Sequence, residues 1–200
     1  MRSVLLVLAT LVVTMAAPAA PPQAAGCADC HGKDGVSAAA EVPTIAGISA
    51  FALEEQLQGY KAKARPCAKV KFASGTHPAD ATDDMCTIAG KLSDADLGAL
   101  TTHFAAQKFV AAKNTVDPAK AASGKKVHST NCEKCHSEGG SLADDDASIL
   151  AGQPKGYLVQ AFKELRAGER EMDEKMAPKI KALKGPEVDA LIEFSASGGK

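Results

Sequence analysis

The 200-residue sequence predicts an all-α protein built as two tandem domains. Three observations predict it. A five-residue motif recurs 105 residues further on, and its surroundings recur with it. Apolar residues downstream of each copy fall at helical spacing. Charge is nearly balanced, 23 basic against 24 acidic side chains, with 46% apolar residues, as in an ordinary globular chain. That balance argues against a nucleic-acid binder. Seventeen Gly and ten Pro are too few for a collagen-like or low-complexity chain.

The first 19 residues read as a leader outside the fold. Arg2 gives a short positive region, Val4 to Ala17 an apolar run, and Ala17-Pro18-Ala19 a cleavage site. The run is too short for an ordinary membrane span, and no later segment approaches one. The expected product is a secreted, periplasmic protein starting at Ala20, not an integral membrane protein. Its expected domains are residues 20–112 and 113–200.

The repeat fixes the internal order. Cys27-Ala28-Asp29-Cys30-His31 returns as Cys132-Glu133-Lys134-Cys135-His136. Ala46-Gly47 returns as Ala151-Gly152, and Arg65 as Arg170, at the same offset. Between Ala-Gly and Arg each copy carries a helical stripe: Leu53, Leu57 and Tyr60 in the first, Leu158, Phe162 and Leu165 in the second. The offset then falls to 91, because the first copy has 14 extra residues between Arg65 and Met85. A last helix closes each copy. Ser93 can cap the first, with Asp94 and Asp96 in its opening turn and Leu97, Leu100 and Phe104 as its apolar stripe. Pro186 suits the start of the second, with Val188, Leu191 and Ile192 apolar. Asp117-Pro118 predicts a further helix running toward Thr130.

Cys-x-x-Cys-His is the attachment signature of a c-type haem. Two thiols three residues apart reach the two vinyl groups of one porphyrin, and the next residue carries an imidazole to the iron. Covalent attachment keeps the cofactor in a domain too small to hold it by burial alone. A thioredoxin-like pair or half a zinc site would not explain a His after both copies. Two c-type haems are therefore expected, attached at Cys27, Cys30, Cys132 and Cys135, with His31 and His136 as iron ligands.

The sixth ligand should be a thioether or a second imidazole. Met85 and Met176 stand at matching places, each seven residues before a Leu. Met/His ligation raises the potential and closes the iron to oxygen chemistry, which suits electron transfer. Met172 is the rival for the second haem, and His77 for the first. His103 and His128 read as surface or packing residues. Cys67 and Cys86 bracket the extra segment, and spare cysteines in an oxidising compartment usually pair. Such a bridge would contribute roughly 3 kcal/mol in the chain-entropy model. It would also pin the segment bearing Met85. Asp144 to Asp146 form an acidic run, and Lys179, Lys181 and Lys184 a basic cluster; both read as solvated loops or as steering charges for a redox partner.

Asn131 to Gly140, Leu142-Ala143-Asp144-Asp145, Ile149 to Gln153 and Glu171 to Ala177 resemble the dihaem cytochrome subunit of flavocytochrome c sulfide dehydrogenase. Met85, Ile88-Ala89 and Leu92-Ser93 fit it in the first half, more loosely. The resemblance implies two tandem class I cytochrome c domains, each wrapped around one haem. It implies a heterodimer with an FAD-containing sulfide dehydrogenase flavoprotein, which passes electrons to the haems, and onward transfer to a soluble carrier such as a small cytochrome c. Cys27, Cys30, Cys132, Cys135, His31, His136, Met85 and Met176 match the family's haem-binding positions.

Two departures stand out. The 14-residue insertion has no family counterpart. Fewer than ten mature residues precede Cys27, too few for the helix expected before Cys132. That shortage predicts that Leu97, Leu100 or Phe104 lies open to a partner or to the second domain. No Gly-x-Gly-x-x-Gly fingerprint is present, so neither flavin nor nicotinamide is expected on this chain. Catalysis on sulfide would belong to the partner. An independent dihaem shuttle feeding a terminal oxidase is the alternative. A dihaem enzyme, such as a peroxidase or thiosulfate dehydrogenase, would need an open iron position, which two Met argue against.

Overall fold

The computed structural model describes residues 19–78 and 80–200; the expected leader, residues 1–19, lies outside the described residues except for its last residue. The regular secondary structure is almost wholly helical, in two tandem domains. The first contains α1 (Ala24–His31), α2 (Ala50–Lys61), a two-stranded antiparallel hairpin β1 (Val70–Lys71) and β2 (Thr82–Asp83), α3 (Met85–Gly90) and α4 (Asp94–Ala105). The second contains α5 (Pro118–Asn131), the short turn α6 (Ser137–Gly140), α7 (Lys155–Ala167), α8 (Ala177–Ala182) and α9 (Gly185–Ala196).

Side-chain caps set the helix starts. The Ser93 hydroxyl accepts from Asp96 N while the Asp96 carboxylate accepts from Ser93 N at 2.9 Å, a reciprocal capping box for α4. Asp117 accepts from Ala119 N and Lys120 N at 2.9 and 3.1 Å, with Pro118 opening α5. Pro fits there because its missing N–H would have no helical acceptor anyway. Glu187 accepts from Lys184 N at 2.8 Å and starts α9.

The repeat is visible in the backbone. Ile45 and Ala46 donate to Gly35 O; Leu150 and Ala151 donate to Gly140 O. Gly47 N donates to Phe104 O, and Gly152 N to Ser195 O. Gly35 and Gly140 both have positive φ, which a side chain would strain.

In the second domain α5 crosses α9 at close range. A Cβ on Gly124 would lie 2.0 Å from the Ala190 carbonyl oxygen, so only glycine fits. Leu158, Phe162, Leu165, Ile180, Leu183, Leu191 and Ile192 form the core beneath. The first domain has only the eight-residue α1 in place of the fourteen-residue α5. The stripe does not lie open to a partner, since Leu97, Leu100 and Phe104 are 0%, 2% and 4% exposed, and the expected alternative, contact with the second domain, is met. Ala24 of α1 packs in one cluster with Leu100 and Phe104, and Ile149 of the second domain joins it. The loop after α1 also approaches: a Cβ on Gly35 would be 2.9 Å from the Phe104 ring. A short helix, a loop and the neighbouring domain together do the work of the missing turns.

A buried side chain, Gln153, is one of the ties between the two domains. The Gln153 amide accepts from Thr44 N and donates to Thr44 O, both at 2.9 Å. Asn114, in the linker, donates to Gln153 O and Ala196 O and accepts from Lys155 N. Among the described residues no helix is long and apolar enough to cross a membrane.

Candidate haem sites

In the first domain one cleft of about 1450 Å³, open to solvent, gathers the residues singled out by the sequence. Cys27, Cys30 and His31, at the end of α1, line one wall. Met85, the first residue of α3, lines it too, with Leu53, Leu57, Leu100 and Phe104 as apolar floor. Asp84 fixes the start of α3 by accepting from Thr87 N at 2.8 Å.

His31 is buried, and its Nδ1 lies 2.9 Å from Pro43 O. A carbonyl can only accept, so Nδ1 carries the proton and Nε2 is left as a metal donor. Burial pushes the His31 pKa down, which keeps the ring neutral for that task. His136 stands at the equivalent place and is half-buried. Burial lowers its pKa, and the nearby His128 lowers it further. The backbone of Ser148, 105 residues on from Pro43, faces it and favours the proton, although Nδ1 makes no in-line hydrogen bond.

The four thiols of the two motifs are free of disulfides. Burial pushes Cys27 up to about 11 and raises Cys30 and Cys132 as well. Reactive Cys-x-x-Cys redox pairs work by a lowered thiol pKa, so these shifts run against thiol–disulfide chemistry. Cys135 is exposed. Met172 and Met176 are both half-buried against the core of the second domain, as is Cys132. Met176 stands directly before α8, as Met85 opens α3.

The other histidines have structural partners. His77 Nε2 lies 2.8 Å from the Asp29 carboxylate, and its ring stacks on Phe72. His103 packs edge-on against Phe104. His128 is buried against Phe194, its Nδ1 2.9 Å from a Glu133 oxygen but out of line for a hydrogen bond. Asp145 is no free steering charge: it accepts from Ser137 N and Oγ, just after His136. Cys67 and Cys86 are bonded, with Cα atoms 5.7 Å apart.

A polar cluster between the domains went unread in the sequence. Gln56 Oε1 accepts from the guanidinium groups of both Arg65 and Arg170. Arg65 lies over the Tyr60 ring, 4.1 Å from its centroid. Burial alone would raise the Tyr157 hydroxyl, but the charges of Arg170 and Arg65, and their hydrogen bonds, hold it below the usual phenol range. The Arg65 Nε is buried with no partner. A buried donor left over beside two cations is a place for anionic oxygens, such as haem propionates. Tyr60, Arg65 and Tyr157 all line the same cleft as His31. The signal was available: Arg65 and Arg170 recur at the offset of the Cys motifs. What could not be seen is that two copies of one residue meet.

Several comparisons agree with this geometry. The sequence profile of the cytochrome c family matches residues 22–106. Cytochrome c4 of Azotobacter vinelandii is 30% identical over 187 residues, covering 86% of this chain and 85% of that protein. The thiosulfate dehydrogenase electron acceptor of Stutzerimonas stutzeri (strain A1501) is 30% identical over 193 residues, covering 90% and 82%. The crystal structure of reduced recombinant cytochrome c4 from Pseudomonas stutzeri superposes with a TM-score of 0.68 at 27% identity, covering 90% of this chain and 99% of that one.

Proposed function

The chain belongs to the cytochrome c family, as a dihaem electron-transfer protein with covalently bound c-type haems, and from that premise we propose that it is the periplasmic electron acceptor of a dehydrogenase acting on a reduced sulfur compound. Each haem supplies a one-electron iron centre. Cys27 and Cys30 tether one, and Cys132 and Cys135 the other. His31 and Met85 ligate the first iron, His136 and Met176 the second. The Pro43 carbonyl orients the His31 imidazole. Arg65 and Arg170 hold propionates at the domain boundary. The observation that carries this reading is the single cleft shared by Cys27, Cys30, His31 and Met85. Two thiols, an imidazole and a thioether lining one cleft are the donor set that would hold an electron-transfer haem.

The donor proposed first is an FAD-containing sulfide dehydrogenase, supported by the motifs of the second domain. A thiosulfate dehydrogenase is the second reading, supported by the relative named for that role. In either case this chain passes electrons on to a soluble carrier and performs no catalysis alone. The test is an absorption spectrum of the protein isolated from its source with its partners, before and after adding sulfide or thiosulfate. Co-purifying flavin with haem bands reduced by sulfide supports the first donor. Flavin-free material reduced by thiosulfate supports the second. Haems that stay oxidised with both, yet reduce with dithionite, would overturn the sulfur role and leave an independent shuttle.

A further inference from the structure

The hairpin segment, residues 66–84, has no counterpart in the second domain. Its base is closed by the Cys67–Cys86 bridge. Its tip crosses to α1. Ala73 N and Ser74 N donate to Asp29 O at 2.7 and 3.1 Å, and the Ser74 hydroxyl donates to Ala28 O at 3.4 Å. The His77–Asp29 pair at 2.8 Å completes the attachment. Gly75, with φ +87°, presses on the same residue: a Cβ there would be 2.6 Å from an Asp29 carboxylate oxygen. Ala28 and Asp29 are the two residues between the thiols of Cys27 and Cys30. The hairpin therefore lies across the outer side of the attachment segment, and Cys30 is only 5% exposed.

The second domain is open at the same place. Glu133 and Lys134 stand between its thiols. Glu133 turns back to accept from Glu138 N at 2.9 Å, while Lys134 and Cys135 are exposed. The first cleft is also walled by the other domain, through Tyr157 and Gln160 of α7.

We propose that the hairpin is a strap that shields the porphyrin edge attached at Cys27 and Cys30, so that redox partners exchange electrons at the edge attached at Cys132 and Cys135. The first haem then exchanges with partners through the second. Each exchange moves one electron and makes or breaks no bond. This inference rests on the haem attachment given under Proposed function, but it concerns access rather than attachment.

The test uses the mature dihaem protein. A pyridine haemochrome assay comes first, and a count below two would overturn the attachment reading itself. With two haems present, a dissolved neutral gadolinium chelate is added and the relaxation of each haem's methyl protons is measured by NMR. The expected result is strong relaxation of the second domain's haem and weak relaxation of the first. Replacing residues 68–82 by a short Gly-Ser linker, with Cys67 and Cys86 kept, should bring the first haem to parity with the second. His77→Ala, which leaves the bridge and the rest of the hairpin in place, should give a partial rise. Equal relaxation of both haems in the unaltered protein would overturn the proposal. So would no change at the first haem in His77→Ala and in the linker variant.

Discussion

The two domains descend from one pattern but are held together differently. The second relies on its own helices: α5 lies so close on α9 that Gly124 touches the Ala190 carbonyl. Among the described residues the first has little helix before its Cys motif, and its last helix is covered by other means. Its last helix is covered by Ala24, the Gly35 loop and Ile149 of the other domain. Its Met85-bearing segment is tied down by a disulfide and a hairpin that have no counterpart among the described residues of the second domain. One domain covers its last helix with a helix of its own; the other does so with additions. The difference teaches that the haem-binding motif needs a packed floor and a fixed ligand segment, and that more than one construction supplies them.

That contrast can be broken at its tightest point. Gly124→Ala should destabilise the second domain by about 3 kcal/mol, at the upper end of ordinary overpacking. Denaturant unfolding followed at the haem bands should show the second domain melting first. No loss of stability would mean that α5 and α9 can separate at small cost.

The dependence of the first domain on the second is tested by Gln153→Ala. It leaves Thr44 N–H and C=O buried without partners, at a cost of roughly 2 kcal/mol. Calorimetry should then resolve two transitions in place of one, with the first domain at the lower temperature.

Acid should act unevenly as well. Burial alone would raise the Glu193 pKa, but the hydrogen bonds from Lys155 and the Asp117 amide bring it below its ordinary 4.5. A carboxyl depressed in the folded state contributes stability above its unfolded pKa and loses it as pH falls through the folded value. Unfolding of the second domain should therefore become easier below about pH 4.5, and Glu193→Gln should flatten that dependence while costing about 1 kcal/mol at neutral pH. The first domain has Thr102 at the matching place and lacks this anchor.

The smallest effect has the opposite sign. Gly98 sits within α4 with open space around its Cα. Gly98→Ala should stabilise the first domain by about 0.5 to 1 kcal/mol, through helix propensity alone. A thermal melt would read it.

Much of this was legible in the sequence, because it is local or repeated. Asp117, Ser93 and the two Cys motifs announce themselves within a few residues of what they do. The matched placing of Met85 and Met176 is an arithmetic fact of the repeat. What was illegible joins residues far apart. Thr44 and Gln153 are 109 positions apart and obey no period. Gln56 takes both Arg65 and Arg170 only because the domains face one another. The expectation that Leu97, Leu100 or Phe104 lies open to a partner or to the second domain holds in its second branch, through Ile149, while the loop at Gly35 that also covers the stripe carries no periodic signal.

The central claim is that both domains carry equivalent His/Met haem sites, whatever else separates them. The far-red sulfur-to-iron charge-transfer band of the ferric protein reads this directly. Met85→Ala and Met176→Ala should each remove half of the band, and the double variant all of it. Met172→Ala should leave it whole. A band that survives Met176→Ala but is halved by Met172→Ala would contradict the equivalence, and so would a band that Met85→Ala leaves intact.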